Sequence, residues 1–282
     1  FYANVSAAWA TGGNLPEPRV NIAGAGTQTA GLAYGAFLYG WIGNNPPFKF
    51  SATDEYDGSS WTRGNNMNTA RVNLAGCGSQ TAALGFGGNK DPGLATATEE
   101  YDGGALANGR SELGGAGTQT AGLAFGGAPG DPVSTEEYNG TSWTTGGSLG
   151  QGRREMGGVG TQTAGLAFGG DPSPSAATEE YNGTSWSNGG SLNVPRYNLS
   201  GCGLQTAGLA FGGYPPGDNA TTEKYDGTSW TTTASMNLGR QGLSGAGTQT
   251  AGLAFAGSLP SSTNATEEFD GGGLRTVTVT GT

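Results

Sequence analysis

The 282-residue chain carries a net charge of −10, contains 57 glycines and has no histidine. Without imidazole there is no Ser-His-Asp or Cys-His catalysis and no histidine metal ligation. The acidic balance lacks any basic cluster, so no nucleic acid partner is expected, and no apolar run approaches about 18 residues, so no membrane insertion is expected.

The chain opens at Phe1 without an initiator Met and is expected to be a processed product, a fragment or part of a longer polypeptide. Trp9 stands ten residues before Arg19, and at Arg19 a recurring unit begins. Each unit has an Arg, a Gln nine residues later and an aromatic residue six beyond that. The triplets are Arg19/Gln28/Tyr34, Arg71/Gln80/Phe86, Arg110/Gln119/Phe125, Arg153/Gln162/Phe168, Arg196/Gln205/Phe211 and Arg240/Gln249/Phe255. Successive Gln residues lie 52, 39, 43, 43 and 44 positions apart, a period that belongs to repeat architectures.

Each unit predicts four short strands. The first follows the Arg, as in residues 72–78, and a tight turn carrying the Gln leads to the second, as in 81–86. The second ends at a Gly pair, such as Gly169 and Gly170. A Thr-acid-charged-Tyr segment is the third strand, and Asn182-Gly183 after it is a strong hairpin signal. The fourth carries Trp61, Trp143, Trp186 or Trp230, each five residues after the Tyr and ten before the next Arg. Small residues fill the first two strands and large aromatics the last two. That gradient suits blades that converge on an axis and splay outward, so the prediction is an all-β, six-bladed β-propeller with four antiparallel strands per blade, forming one domain over 1–282. Trp9 places the start of the chain in a fourth strand, and Leu274 follows Phe269 at the Trp offset. Both termini can therefore offer an outer strand to the last blade, whose pairing would close the ring.

The Arg before an inner strand, the Gly pair, and the Tyr and Trp separated by a turn resemble the kelch repeat across the whole chain. More narrowly, Gly-Thr-Gln-Thr-Ala-Gly-Leu-Ala-Phe-Gly-Gly and Ala-Thr-Glu-Glu-Tyr-Asn-Gly-Thr-Ser-Trp resemble kelch-type propellers of marine bacteriophage virion proteins. Blade one has Gly35-Ala36 and blade six Ala256-Gly257 at the Gly pair. Blade two has Leu106 five residues after Tyr101, where other blades have Trp, and its link to Arg110 is six residues shorter.

The six arginines could be read as a carboxylate-gripping ring, but an acid recurs with them: Asp54, Glu99, Glu136, Glu179, Glu223 and Glu267. An unpaired buried charge is costly, so Arg and acid are expected to pair as structural fasteners within or between blades. Cys77 and Cys202 occupy equivalent repeat positions across the expected ring and are read as small buried hydrophobes rather than a disulfide. The acids outside the repeat, Glu17, Asp91, Glu112, Asp131, Glu155, Asp171 and Asp218, are scattered in sequence. They leave a carboxylate-pair glycosidase open. No catalytic residue, metal or cofactor is assigned.

Function is expected where the copies differ. The link after Tyr34 is about nine residues longer than its counterparts and carries Phe37, Tyr39, Trp41, Phe48 and Phe50. Tyr39, Trp41 and Phe48, with Tyr214 in a second loop, are the candidate ligand-binding residues, because aromatics on a rigid scaffold stack on sugar rings or anchor protein partners. The reading that results is a non-enzymatic display or adhesion module. The phage resemblance makes it a virion-borne, extracellular tail-fibre or capsid-decoration protein, touching other virion proteins and a host-surface glycan or protein, and multimeric through virion symmetry. A purely structural virion role and a glycan-processing enzyme are the alternatives.

Overall fold

A computed structural model describes residues 2–37, 49–99, 105–215, 217, 219–259 and 261–276. The described residues form β-strands, turns and loops without a helix. Six antiparallel sheets stand in a ring, the first five running outward in chain order, so the molecule is a β-propeller. Blade 4 is representative: Gly157–Thr161, Ala164–Phe168, Thr178–Tyr181 and Trp186–Asn188, with Gly158 opposite Ala167, Ala167 opposite Glu179 and Tyr181 opposite Trp186. Alternation along the strands puts Phe168, Glu179 and Tyr181 into the seams between blades, where all are buried.

The sixth sheet takes its outermost strand from the start of the chain. Ala8–Thr11 pairs with Thr266–Asp270, Trp9 opposite Phe269. The last described strand, Gly273–Thr276, pairs instead with Tyr2–Val5 in a separate two-stranded ladder.

Within each blade the repeat arginine is fully or almost fully buried and meets the repeat acid. Arg153 Nη2 donates to Glu179 Oε1 at 2.8 Å, while its Nη1 donates to the carbonyls of Gly169 (2.6 Å) and Ala177 (3.0 Å). The second oxygen of Glu179 accepts the Gly150 backbone N–H at 2.6 Å, tying down the loop that enters the blade. The same ion pair joins Arg19 to Asp54, Arg71 to Glu99, Arg110 to Glu136, Arg196 to Glu223 and Arg240 to Glu267. Burial draws the Arg196 and Arg240 guanidinium groups down to about 10 against the opposing pull of their glutamates, so both stay charged at neutral pH. The pairs lie inside a blade, and they hold its first strand to its third.

Aromatics and amides join one blade to the next. Trp186 stacks edge-on to Phe125 of the preceding blade (5.0 Å) and donates Nε1–H to Thr135 Oγ1 at 2.9 Å. Tyr181 donates its hydroxyl to Glu137, and Gln162 donates to the carbonyls of Gly122 (3.1 Å) and Tyr138 (2.6 Å). Aromatic pairs of this kind contribute about 0.5–1.5 kcal/mol beyond their burial. The inner strands need glycine for a steric reason: a Cβ on Gly158 would meet Phe125 Cζ at 2.7 Å and the Gly115 carbonyl at 2.8 Å.

Blade 2 departs from the pattern. Among the described residues its sheet has three strands, Ala75–Gly78, Ala83–Phe86 and Thr98–Glu99. Leu106 does not stand in for a Trp. Its N–H donates to the Thr96 carbonyl at 2.9 Å, as Leu149 does to Val133 and Leu192 to Ala176, and all three lie four residues before a repeat Arg. Leu106 is therefore the buried residue that enters the seam beside the Arg. Six of the ten residues that separate Tyr from that position elsewhere, the Trp among them, are missing from the sequence.

Candidate binding face

The first strand of each blade begins, and the second ends, at the same end of the propeller. Residues just after the repeat Arg and three after the repeat aromatic therefore share one face. Backbone bridges pair them in every blade: Val20 with Phe37, Val72 with Asn89, Ser111 with Ala128, Arg154 with Asp171, Tyr197 with Tyr214 and Gln241 with Ser258. The backbone is repeated, and no two blades carry the same pair of side chains.

One residue further in, the copies meet around the axis. Asn21 N donates to Gly242 O (2.8 Å), Gly242 to Asn198 (2.9 Å), Asn198 to Glu155 (2.8 Å), Glu155 to Glu112 (2.8 Å), Glu112 to Asn73 (2.9 Å) and Asn73 back to Asn21 (3.2 Å). This hydrogen-bonded hoop needs every member in the left-handed region, with φ between 52° and 60°. Asn and Gly adopt that region readily; Glu112 and Glu155 do so at a cost of about 1–2 kcal/mol. The hoop frames a shallow axial cup of about 150 Å³.

Charge on this face is concentrated on one side. Arg154, half-buried, reaches Asp171 Oδ2 at 2.5 Å, Asp131 Oδ1 at 3.3 Å and Glu112 Oε2 at 3.5 Å. Burial pushes the Glu155 carboxyl up to about 7, with the neighbouring Glu112 and Asp171 charges adding to the rise. Glu112 is raised in the same way, by burial against the pull of Arg154. Asn73 donates to Glu112 Oε1 at 3.3 Å. Four acids scattered in sequence thus converge at one quadrant.

Two seams round the ring from this cluster, a groove of about 390 Å³ runs outward between blades 1 and 2. It begins at Asn21 and Asn73, which it shares with the cup, and continues past Phe37, Lys49 and Asn89. Lys49 Nζ pairs with the exposed Asp91 at 2.6 Å.

Of the candidate residues, Tyr214 is exposed and its ring lies 5.6 Å from Tyr197, making a two-tyrosine platform beside the cup. Tyr39, Trp41 and Phe48 lie outside the described residues; the residues on either side of them, Phe37 and Lys49, pair with each other on this face. The sequence reading missed Tyr197, Arg154, Asn21, Asn73, Asn198 and Gly242, and it named the hoop members Glu112 and Glu155 only as scattered acids. Their signal was available: each lies one or two residues after a repeat Arg, at positions that vary among the copies. Among the described residues no group of three or more His, Cys, Asp or Glu side chains could hold a metal ion. No protein family and no curated protein matches the chain.

Proposed function

We propose that the chain is a non-enzymatic binding and display module that contacts a host-surface glycan or protein through this face. The observation that carries the reading is the contrast within it: a repeated backbone presents a different pair of side chains in each of the six blades, around a cup that opens into a groove. The tyrosine platform supplies an apolar surface for a sugar ring, and the amides of Asn21, Asn73 and Asn198 supply donors and acceptors for hydroxyl groups. The resemblance of the repeat to phage virion propellers supports a place on a virion, as a tail-fibre or capsid-decoration component touching other virion proteins. The net charge of −10 argues against a nucleic acid ligand and disfavours adhesion to anionic envelopes.

A glycan array and a host-cell binding assay, each run with Tyr214→Ala and Trp41→Ala variants, test the proposal. Binding that falls at least tenfold in either variant supports it. Absence of binding in a protein that still co-purifies with particles would replace it with a purely structural virion role. Glu155 beside Glu112, raised to about 7, favours one further reading, a glycan-processing enzyme. Oligosaccharide cleavage abolished by Glu155→Gln would establish that reading instead.

A further inference from the structure

The seams between blades obey one rule. Each fourth-strand Trp crosses to the preceding blade, stacks on the Phe ending its second strand, and donates Nε1–H to the Thr opening its third. The pairs are Trp61 with Thr266 (3.0 Å), Trp143 with Thr98 (2.9 Å), Trp186 with Thr135 (2.9 Å), Trp230 with Thr178 (2.9 Å) and Trp9 with Thr222 (3.1 Å). At the seam between blades 1 and 2 only the receiving half is encoded. Tyr34 holds the Phe position and Thr53 the Thr position. The chain between Tyr101 and Leu106 lacks six residues whose counterparts in blade 3 are residues 141–146, Thr-Ser-Trp-Thr-Thr-Gly.

Three observations show a seat that no described residue fills. Thr53 is half-exposed, whereas Thr98, Thr135, Thr178, Thr222 and Thr266 are all buried. A recess of about 500 Å³ opens there, with Leu32, Tyr34 and Thr53 on one wall and Gln80, Ala83 and Gly85 on the other. The strand Thr98–Glu99 is the outermost of its sheet among the described residues, and no described strand lies along its outer edge. A free strand edge is a template for another strand.

We propose that this seat receives an extended segment of a partner protein carrying a Trp. The indole slots between Tyr34 and the wall of blade 2 and donates Nε1–H to Thr53 Oγ1. The backbone of the segment adds to Thr98–Glu99 as the missing fourth strand. The occupant's chemistry is set by the five filled seams, each of which takes an indole with an N–H directed at a threonine hydroxyl. A buried Trp in a preformed slot is also a side chain that carries much of an interface's binding energy. This seat lies on the outer wall of the ring and stands apart from the face proposed above.

The test uses a fluorescently labelled, end-blocked peptide, Thr-Ser-Trp-Thr-Thr-Gly, titrated against the whole chain by anisotropy. Expected is saturable binding with a dissociation constant at or below about 1 mM, weakened at least tenfold when the peptide's Trp is Ala. Thr53→Val weakens binding by about 2- to 10-fold through loss of one hydrogen bond. Inserting the same six residues between Gly103 and Gly104 abolishes binding and raises the unfolding temperature. No saturable binding, equal binding of the Ala peptide, or undiminished binding by the insertion variant would overturn the proposal. Binding that appears only in Trp41→Ala would overturn it too, assigning the seat to the chain's own sixth Trp. Should the insertion variant not fold, the Thr53→Val and Ala-peptide comparisons decide.

Discussion

Replacing Glu179 with Gln exchanges one oxygen for an amide nitrogen at the centre of a buried ion pair. The side chains of Arg153 and Glu179 are 0% and 4% exposed. Both carboxylate oxygens are committed, one to Arg153 at 2.8 Å and one to the Gly150 N–H at 2.6 Å. Whichever way the amide turns, its NH₂ faces a donor, and the guanidinium keeps its charge with only the Gly169 and Ala177 carbonyls to answer it. Removing one member of a buried pair costs about 3–5 kcal/mol, far more than the pair's net contribution, because the other charge stays behind. Glu180, the next residue, is the control. It is half-buried, and its Oε1 accepts the Tyr225 hydroxyl at 2.5 Å. Glu180→Gln keeps an acceptor there, so its cost is about 0.5–1.5 kcal/mol. Urea unfolding followed by Trp fluorescence, compared at equal slope, measures both. Losses under about 1 kcal/mol for both variants would refute the claim that the arginine charge depends on its carboxylate.

Glu155 makes a second prediction, concerning pH. Its carboxyl rises in the fold from 4.5 to about 7, so the native state holds that proton more tightly than the unfolded chain. The associated stability is complete below about pH 4.5 and is lost as pH rises to 7. Glu155→Asn removes that loss and, because Asn accepts φ near +52°, relieves about 1 kcal/mol of backbone strain. Unfolding temperatures from pH 4 to 8 should fall more steeply for the parent than for the variant; parallel curves would refute the assignment. The cysteines make a third. Cys77 and Cys202 are buried thiols that form no disulfide, and burial pushes Cys202 up to about 12. A thiol reagent at pH 8 should label neither in the native state and both in urea, and rapid native labelling of Cys202 would contradict its burial.

Much of the ring was legible because offsets from the repeat Arg encode radial position. The ten-residue offset of Trp9 from Arg19 placed the first part of the chain in a fourth strand, and Ala8–Thr11 is paired there with Thr266–Asp270. Leu106 was misread because its offset was counted forward from Tyr101. Counted back from Arg110, it matches Leu149 and Leu192, and a six-residue deletion had placed one apolar residue where another was expected. The binding face was harder to read. Glu112, Asp131, Glu155 and Asp171 are dispersed along the chain, and only the return of each blade to the axis gathers them around Arg154. Nothing local in the sequence marks them as neighbours; their distances from the repeat Arg and aromatic do.

The pairing of Ala8–Thr11 with Thr266–Asp270 sets a schedule for synthesis. A ribosome adding about 5–20 residues per second needs on the order of ten seconds to a minute to make the intervening chain. Through that interval the early strand, with Trp9 at its centre, has neither its hydrogen-bonding neighbour nor Phe211 to cover its ring. Blades 3, 4 and 5 draw their strands from consecutive stretches and can form as they emerge, whereas the sixth must wait. Slow elongation or premature termination therefore leaves a sticky, half-dressed edge on the strand Ala8–Thr11. Yield during expression should respond to chaperone supply more than the finished ring's stability would imply.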